Sequence, residues 1–273
     1  MRLRPGTLLI YVALIAGAVV MLYPFAYMLS TSLKSPAQVY VFPPRWIPSP
    51  IMWSNYAAAL GRLGLRPFLN SFLFTACIVL GQGTVTTMGG YAFARLKFPA
   101  RNVIFLAYLG TMMIPPVVVS IPTFVIIARL GWQDTFQGLV VPILASGAFG
   151  TFLFRQFFMG VPEELGDAGT VDGANALDIF WRIYLPLSKP ALTAYGVITA
   201  LSAWNMYLWP LIVVQSDELK PVTLVIAQFS GSMNTQLNLM MAAVALSLAP
   251  IFFLYVVGQR FFVEGIAMTG LKG

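Results

Sequence analysis

The chain has 273 residues, of which 59% are hydrophobic and only 9% are charged, and its formal net charge is +7. Globular domains carry about 25% charged residues, so this composition excludes a water-soluble domain. The lysines and arginines are scattered between apolar runs and form no basic stripe, which excludes a nucleic-acid-binding protein. The chain also has no histidine and no GxxxxGK[ST] sequence. We therefore expect no catalytic residue, no bound metal and no cofactor in the chain itself.

Six apolar runs are long enough to cross a bilayer as helices. The sequence therefore predicts an all-α, polytopic membrane protein with a single domain over residues 1–273. The predicted transmembrane helices cover about residues 8–29, 68–91, 103–127, 139–158, 191–214 and 239–258.

Basic residues set the predicted orientation of these helices. Arg2 and Arg4 precede the first run, and Arg95, Lys97 and Arg101 lie in the short connection between the second and third runs. Loops rich in lysine and arginine stay in the cytoplasm, so both termini and this connection are predicted to be cytoplasmic.

Two features interrupt this regular pattern. Pro115, Pro116 and Pro122 lie within the third run, which predicts a bent or broken helix. The outer loop Lys34–Arg66 has about 30 residues, which exceeds the usual length of a connection, and long loops are often functional.

No Asp, Glu, Lys or Arg lies deep within a predicted span. Ionisable residues inside membranes usually mark proton relays or gating charges, so their absence argues against a proton-coupled transporter or a voltage sensor. It favours a neutral, hydroxyl-rich solute. Such a solute could stack on Trp204 and Tyr207 and bond to Asn205 and Gln82. The alternative is that Gln82 packs helices together and that the aromatic residues form an interfacial belt.

The only long charged and turn-rich segment between two apolar runs covers residues 160–190. Pro162 suits the first position of a helix, and Glu163 and Glu164 suit its first turn, where the helix dipole favours anions. Gly173 is well placed to end this helix. The sequence therefore predicts a helix from Pro162 to Gly173.

A second short helix is predicted in the same segment, and Pro186 and Pro190 are expected to end it before the fifth span. Its apolar side chains recur at helical spacing along one face. The members of this face are Ala176, Phe180, Ile183 and Tyr184. We expect a helix-turn-helix at the membrane surface whose apolar ridge inserts into another protein or, alternatively, lies on the lipid.

The segment resembles the EAA loop of bacterial ABC importer permeases, whose pattern is EAA-x3-G-x9-I-x-L-P. This chain reads DAG from Asp167, G at Gly173 and I-x-L-P from Ile183, with each spacing preserved. Asp167 replaces the family's Glu, and Gly169 replaces its second Ala. The resemblance implies an ATPase-coupling loop that includes Glu163, Glu164, Asp167, Ala168, Gly169, Asp172, Gly173, Ile183, Leu185 and Pro186.

The resemblance extends over nearly the whole chain, because Gly90–Arg101, Trp204–Pro210 and Arg260–Gly273 are similar to the carbohydrate-uptake subfamily. The type it resembles is the smaller permease of the maltose and glycerol-phosphate importers. It implies the type I ABC importer permease fold and a complex in the inner membrane of a bacterium. The implied partners are a second permease, an ATPase dimer that binds ATP and magnesium, an external solute-binding protein and membrane lipid.

The resemblance implies that the complex imports a sugar or a sugar derivative. Glycerol 3-phosphate or a glycerophosphodiester is the alternative substrate. Two more remote alternatives are a stand-alone secondary transporter and a membrane scaffold. An external loop is expected to reach the solute-binding protein, and the candidates are Lys34–Arg66 and Gln228–Asn238.

Overall fold

The computed structural model describes residues 5–229 and 236–270, with side chains described for residues 6–229 and 236–256. All of the regular elements in these ranges are helical, as predicted. Arg2 and Arg4, on which the orientation of the first helix depends, lie outside the described residues. So do residues 230–235, which form most of the second candidate loop, and residues 271–273.

The helices follow one another with short connections. Their bounds are α1 Pro5–Ser32, α2 Pro36–Val39, α3 Ser54–Leu63, α4 Arg66–Arg95, α5 Arg101–Gly110, α6 Pro116–Arg129, α7 Phe136–Ala145, α8 Ala148–Met159, α9 Glu164–Val171, α10 Ala176–Ile179, α11 Leu185–Leu187, α12 Lys189–Trp204, α13 Leu208–Val213, α14 Val222–Gln228 and α15 Leu237–Gly270. A 3₁₀ turn at Thr111–Met113 follows α5, and a π-helical turn at Phe180–Tyr184 joins α10 to α11.

Three continuous helical stretches of the described chain are long and apolar enough to cross a membrane: Gly6–Ser32, Arg66–Arg95 and Leu237–Val256. Two bent pairs qualify when each is taken as one span. The pair α5 and α6 bends by 102°, and the pair α7 and α8 bends by 43°. The larger bend falls at Pro115 and Pro116, which confirms the predicted interruption of the third run.

The predicted fifth span is divided between α12 and α13, with Asn205–Tyr207 between them. Each part is too short to cross a bilayer as one regular helix, so by length and composition the described residues contain up to five spans. The number of crossings and the bounds of the spans stay predictions.

The chain divides into two compact units. The first comprises residues 1–66 and Val225–Ala249, and the second comprises Pro67–Leu224 and residues 250–273. In the first unit, the buried Asn55 amide donates to the backbone oxygens of Ser32 and Lys34, each at 2.8 Å, and accepts from Asn238 Nδ2 at 3.2 Å. Asn55 therefore fixes the end of α1 to the first turn of α3, which makes this part of the outer loop an ordered structure.

In the second unit, small residues allow α4 and α8 to approach closely. A Cβ atom added to Gly90 would lie 2.5 Å from Phe154 Cβ and 2.9 Å from the backbone nitrogen of Arg155. A Cβ atom added to Gly147 would lie 2.4 Å from Thr86 Cγ2. Small residues commonly serve this purpose between membrane helices, where backbone approach maximises van der Waals contact.

Gln82 satisfies the backbone at the bend between α7 and α8. Its Nε2 donates to the carbonyl oxygens of Ile143 at 2.9 Å and Ser146 at 3.1 Å, and its Oε1 accepts from the Tyr195 hydroxyl at 3.0 Å. A helix broken at membrane depth leaves carbonyls without intrahelical donors, and lipid offers none. Gln82 supplies donors to two of the carbonyls at this bend.

Asp134 joins two connections on the other side of the same unit. Its backbone N–H donates to the Val213 carbonyl at 3.0 Å, and its Oδ1 accepts from the backbone N–H groups of Gln215 at 2.9 Å and Ser216 at 3.0 Å. These hydrogen bonds favour the charged carboxylate and lower the pKa of Asp134. The connection after α6 is thereby fixed to the connection after α13.

The contact at Gly90 generates a prediction about stability. Gly90→Ala forces a methyl group into the backbone of α8, so we expect a destabilisation of about 1–3 kcal/mol, as for other overpacked sites. It would be measured as a lower Tm of the purified full-length chain in detergent, with a thiol-reactive dye reporting exposure of Cys77, the single cysteine. Gly83→Ala is the matched control, because its added Cβ meets no atom within 4 Å. Equal Tm values for the two variants would contradict the close approach of α4 and α8.

Candidate coupling loop

Residues 160–190 form two short helical elements, and the first is α9. It ends as predicted at Gly173, which has a φ of +81°. The Ala174 N–H donates to the Gly169 carbonyl at 2.9 Å, and the Gly173 N–H donates to the Thr170 carbonyl at 3.0 Å. This is the Schellman arrangement, which requires a left-handed residue after the helix and so favours glycine.

The predicted start of the first helix is wrong. The first carbonyl to accept helical bonds belongs to Glu163, and α9 begins at Glu164. The Val161 N–H still donates to the Phe158 carbonyl at 3.1 Å, which extends the end of α8. Pro162 therefore lies in the connection between the two helices and not at the first helical position.

The second element contains two features that the sequence analysis did not predict, a helix cap and a π-helical turn. Asn175 Oδ1 accepts from the backbone N–H groups of Leu177 and Asp178 and so caps α10. The chain then widens into the π-helical turn, where the Leu185 N–H bonds to the Phe180 carbonyl five residues earlier.

Pro186 does not end this element, which continues to Leu187, and Pro190 lies in the first turn of α12. The prediction that Pro186 breaks the helix is therefore wrong. Proline lacks an N–H group and clashes with the carbonyl four residues earlier in a regular α-helix. The wider π turn just before Pro186 relieves that constraint.

Two of the four residues of the predicted apolar ridge face this chain and not a partner. Phe180 and Tyr184 are only 1% and 2% exposed. The Tyr184 ring lies 5.1 Å from the Tyr91 ring of α4 and 5.7 Å from the Phe158 ring of α8, measured between centroids. The prediction that the ridge inserts into another protein or lies on the lipid is therefore wrong for these two rings. Ala176 is exposed and Ile183 is half-buried, and for them it stays a prediction.

Arg95, the last residue of α4, connects three parts of the chain. Its Nη2 donates to the carbonyl of Phe158 at 2.6 Å and to that of Val161, and its Nη1 contacts Glu163 Oε1 at 3.0 Å. The guanidinium carbon also lies 5.3 Å from the centre of the Tyr184 ring. Burial raises the pKa of the Tyr184 phenol, partly opposed by the positive charge of Arg95. The phenol is therefore neutral at physiological pH.

Sequence analysis did not identify this role of Arg95 and used the residue only to orient the helices. Glu163 lies 68 residues away along the chain. No local spacing indicates such a contact, so only the fold reveals it.

The outer side of the loop is exposed and carries most of the predicted coupling residues. The exposed ones are Glu163, Glu164, Asp167, Ala168, Asp172, Gly173 and Pro186. Several apolar side chains that the sequence analysis did not single out are exposed on the same segment: Leu165, Val171, Leu177, Trp181 and Leu187. The loop therefore offers an acidic surface with apolar side chains interspersed.

The remaining predicted coupling residues lie further inside. Ile183 and Leu185 are half-buried, and Gly169 is buried. A Cβ atom on Gly169 would lie 3.0 Å from Ile183 Cδ1 and 3.2 Å from Ile179 Cγ1. Glycine in place of the family's alanine thus lets α9 approach the second element more closely.

The four residues predicted for a solute path occupy different environments. Gln82 and Trp204 are buried, whereas Asn205 and Tyr207 are exposed at the gap between α12 and α13. Asn205 Nδ2 donates to the Leu201 carbonyl at 2.9 Å. Within the described residues, no hydrogen bond or ring contact joins any two of these four side chains, and their role in a solute path stays a prediction.

The chain is similar to known transport proteins over most of its length. The family model described as the inner membrane component of binding-protein-dependent transport systems matches residues 86–267. The sn-glycerol-3-phosphate transport system permease protein UgpE of Yersinia enterocolitica is 38% identical, in an alignment of 266 positions that covers 94% of each chain. The protein of the same name from Escherichia coli O1:K1 is 36% identical, in an alignment of 269 positions that covers 95% of each chain.

A solved structure shares the fold. It is the crystal structure of a bacterial ABC transporter involved in the import of the acidic polysaccharide alginate. The TM-score is 0.81 at 25% identity, over 96% of this chain and 99% of that chain.

These similarities define a class of protein, the membrane permeases of ABC importers. The chain belongs to the family of inner membrane components of binding-protein-dependent transport systems. The resemblance to ABC importer permeases of the carbohydrate-uptake subfamily is thereby confirmed.

The contacts of Arg95 predict an asymmetry between two substitutions. Arg95→Lys removes the guanidinium, whose Nη2 holds two carbonyls. We therefore expect the free energy of unfolding to fall by about 2 kcal/mol, which is typical of hydrogen bonds to a charged group. Glu163→Gln removes only the ion pair with Arg95, and the Glu163 side chain is 83% exposed. We therefore expect the free energy of unfolding to fall by less than about 1 kcal/mol. Tm values measured with the same thiol-reactive dye would compare them. A Tm for Glu163→Gln as low as that of Arg95→Lys would show that the ion pair, and not the carbonyl contacts, holds the loop.

Proposed function

We propose that this chain is the smaller permease of an ATP-driven importer and that residues 160–190 bind an ATPase subunit and transmit its closure to the membrane helices. The observation that carries this proposal is the two-sided character of the loop. Its inner side is fixed to α4 and α8 by Arg95 and by the buried rings of Phe180 and Tyr184. Its outer side exposes acidic and apolar residues that have no cover within the described chain.

The complete transporter would contain a second permease, an ATPase dimer and an external solute-binding protein. ATP and magnesium would bind to the ATPase subunits, and the permease would not be an enzyme. The absence of a GxxxxGK[ST] sequence supports this division of labour.

The orientation follows from the same contacts. Arg95, Lys97 and Arg101 lie in one short connection, and Arg95 contacts Glu163 of the loop. The two segments therefore share a face of the membrane, and the positive-inside rule assigns that face to the cytoplasm. Both termini would then also be cytoplasmic, in the inner membrane of a bacterium.

Movement of the loop would act through rigid contacts. When the ATPase subunits close around ATP, they would carry α9 with them. Arg95 and the ring cluster would pass this displacement to α4 and α8, because packed aromatic side chains and charged hydrogen bonds resist local deformation. The solute path would then open towards the external binding protein.

The proposed substrate is a sugar or a sugar derivative. The uncharged spans favour a neutral solute, and Gln82, Trp204, Asn205 and Tyr207 are the candidate contacts. sn-Glycerol 3-phosphate or a glycerophosphodiester is the second candidate, because permeases named for glycerol 3-phosphate are 36% and 38% identical to this chain.

The substrate would be identified with the complete complex in lipid nanodiscs. ATPase activity would be measured with the solute-binding protein and a panel of neutral sugars, glycerol 3-phosphate and glycerophosphodiesters. We expect stimulation by one class of solute only, because the binding protein stimulates the ATPase after it has closed around its ligand. Stimulation by phosphorylated compounds alone would select the second candidate.

Two outcomes of that experiment would contradict the proposal. Solute uptake by this chain in the absence of the ATPase would indicate a secondary transporter. An intact complex whose ATPase no solute stimulates would indicate a scaffold.

The left-handed residue at the end of α9 gives a test of the coupling role. Gly173→Val places a β-branched residue at a φ of +81°, which should displace the end of α9. We expect the complex to assemble and hydrolyse ATP but to lose at least about tenfold in solute-stimulated uptake, since a cost of about 1–3 kcal/mol at a strained residue is enough to shift the loop.

Gly173→Asn is the matched control, because asparagine tolerates the left-handed conformation and a Cβ atom added at this position meets no atom within 4 Å. Uptake and ATPase rates would be measured in the same proteoliposomes. Normal uptake by an assembled Gly173→Val complex would show that α9 does not transmit the movement.

A further inference from the structure

A basic cavity lies between the end of α4 and the start of α5, entirely within the second unit. Its volume is about 510 Å³, and it is lined by Arg95, Lys97 and Arg101 with Glu163 as the single acidic residue. Glu163 already contacts Arg95, and Lys97 and Arg101 form no ion pair with any residue that the structure describes. The cavity therefore has an excess of two positive charges.

Backbone donors add to this positive character. Ala100 precedes α5 with a φ of +56° and has no side chain that can cap the helix, and the first turn contains no acidic residue. The first helical bond runs from the Ile104 N–H to the Ala100 carbonyl at 2.9 Å. The N–H groups of residues 101–103 are thus outside the helical pattern, and Asn102 and Val103 line the cavity. Free N–H groups at the start of a helix bind phosphate readily.

Arg95 adds a largely buried positive charge to the wall of the cavity. Its side chain is only 10% exposed and lines the cavity. Its Nη2 holds two carbonyls and its Nη1 contacts Glu163, so the exposed Glu163 carboxylate is the only described acidic group that offsets its charge.

The surface beside the cavity is apolar. Phe98 lines the cavity and is exposed, and along α5 the side chains of Val103 and Leu106 are 68% and 66% exposed. Both the cavity and this surface lie at the end of membrane helices, where a phospholipid places its phosphate beside its acyl chains. Basic pockets between transmembrane helices at the membrane surface are suited to anionic lipid headgroups.

We propose that this cavity binds the phosphate of an anionic phospholipid, with the acyl chains along the exposed side of α5. A free phosphate ion would use the same cations and N–H groups, but it would leave Val103 and Leu106 without a partner. The adjoining apolar surface is what favours a lipid. The site needs only that Arg95 and Arg101 lie at one face of the membrane, so it does not depend on the transported solute.

The test uses native mass spectrometry of the intact complex in detergent, titrated with phosphatidylglycerol, phosphatidylcholine or inorganic phosphate. We expect the wild type to bind phosphatidylglycerol more tightly than phosphatidylcholine. The double variant with Lys97→Gln and Arg101→Gln should bind phosphatidylglycerol about 25-fold more weakly, because each basic residue near a membrane surface strengthens such binding about fivefold.

Arg129→Gln is the matched control, since it removes one exposed positive charge from the end of α6, outside the cavity and outside residues 160–190, and should leave the affinity unchanged. Arg101 Nη1 also donates to the Leu96 carbonyl at 3.0 Å, so its loss could prevent the double variant from assembling. In that case Lys97→Gln alone is the test variant. The expected loss is then about fivefold.

Four results would overturn the proposal. Equal binding of phosphatidylglycerol and phosphatidylcholine, or equal binding by wild type and double variant, would show that no anionic lipid occupies the cavity. Inorganic phosphate that binds as tightly as phosphatidylglycerol, and is lost in the same variants, would assign the cavity to a free anion. Loss of the ATPase subunits from the double variant, with lipid binding unchanged, would assign it to protein contact.

Discussion

The interaction on which the position of residues 160–190 depends is the pair of hydrogen bonds from Arg95 to carbonyls in the last turn of α8 and just after it. One guanidinium at the end of α4 holds the carbonyls of Phe158 and Val161 and contacts Glu163. A buried carbonyl without a donor costs about 1–3 kcal/mol, so release of the loop from α4 would leave several groups unsatisfied together. The Tyr184 ring packs against the same guanidinium, and its contacts with the rings of Tyr91 and Phe158 hold it in place. Residues 160–190 are therefore fixed to the ends of two membrane helices as well as to the chain on either side.

This pair of hydrogen bonds requires that α8 lies directly against α4, and two devices in the membrane helices provide this. Gly90 removes the side chain that would separate the two backbones. The 43° bend before α8 directs the helix towards this contact, and Gln82 supplies donors to the carbonyls of Ile143 and Ser146 at the bend. Lipid offers no hydrogen bonds, so donors within the same unit stabilise the bend: Gln82 bonds to both carbonyls, and Ser146 Oγ also donates to that of Ile143 at 2.8 Å. Close packing and a satisfied bend thus place the Phe158 carbonyl within reach of Arg95.

Local chemistry accounts for what the sequence predicted correctly. The break at Pro115 and Pro116 and the helix end at Gly173 follow from the backbone preferences of single residues, which act wherever those residues occur. Contacts between distant segments were not predictable in this way, since Gln82 and Ile143 are 61 residues apart. Periodicity identified Phe180 and Tyr184 as one apolar face but gave no indication of which molecule covers it. The π turn was missed because a proline that would end a regular helix is accommodated when the preceding turn widens.

The distribution of charge separates the two tasks of the protein. The charged residues of the described spans lie towards helix ends, as Arg155 does among the last five residues of α8, and residues 160–190 carry acidic residues on their exposed side. A phosphorylated solute in transit needs cations or free N–H groups, and the middle of the described spans offers no cation. If the imported solute is glycerol 3-phosphate, its charge must therefore be recognised mainly by the binding protein or the second permease. A neutral sugar would need only hydrogen bonds and ring stacking from the polar and aromatic side chains of these spans, and the role proposed for residues 160–190 would be the same for either substrate.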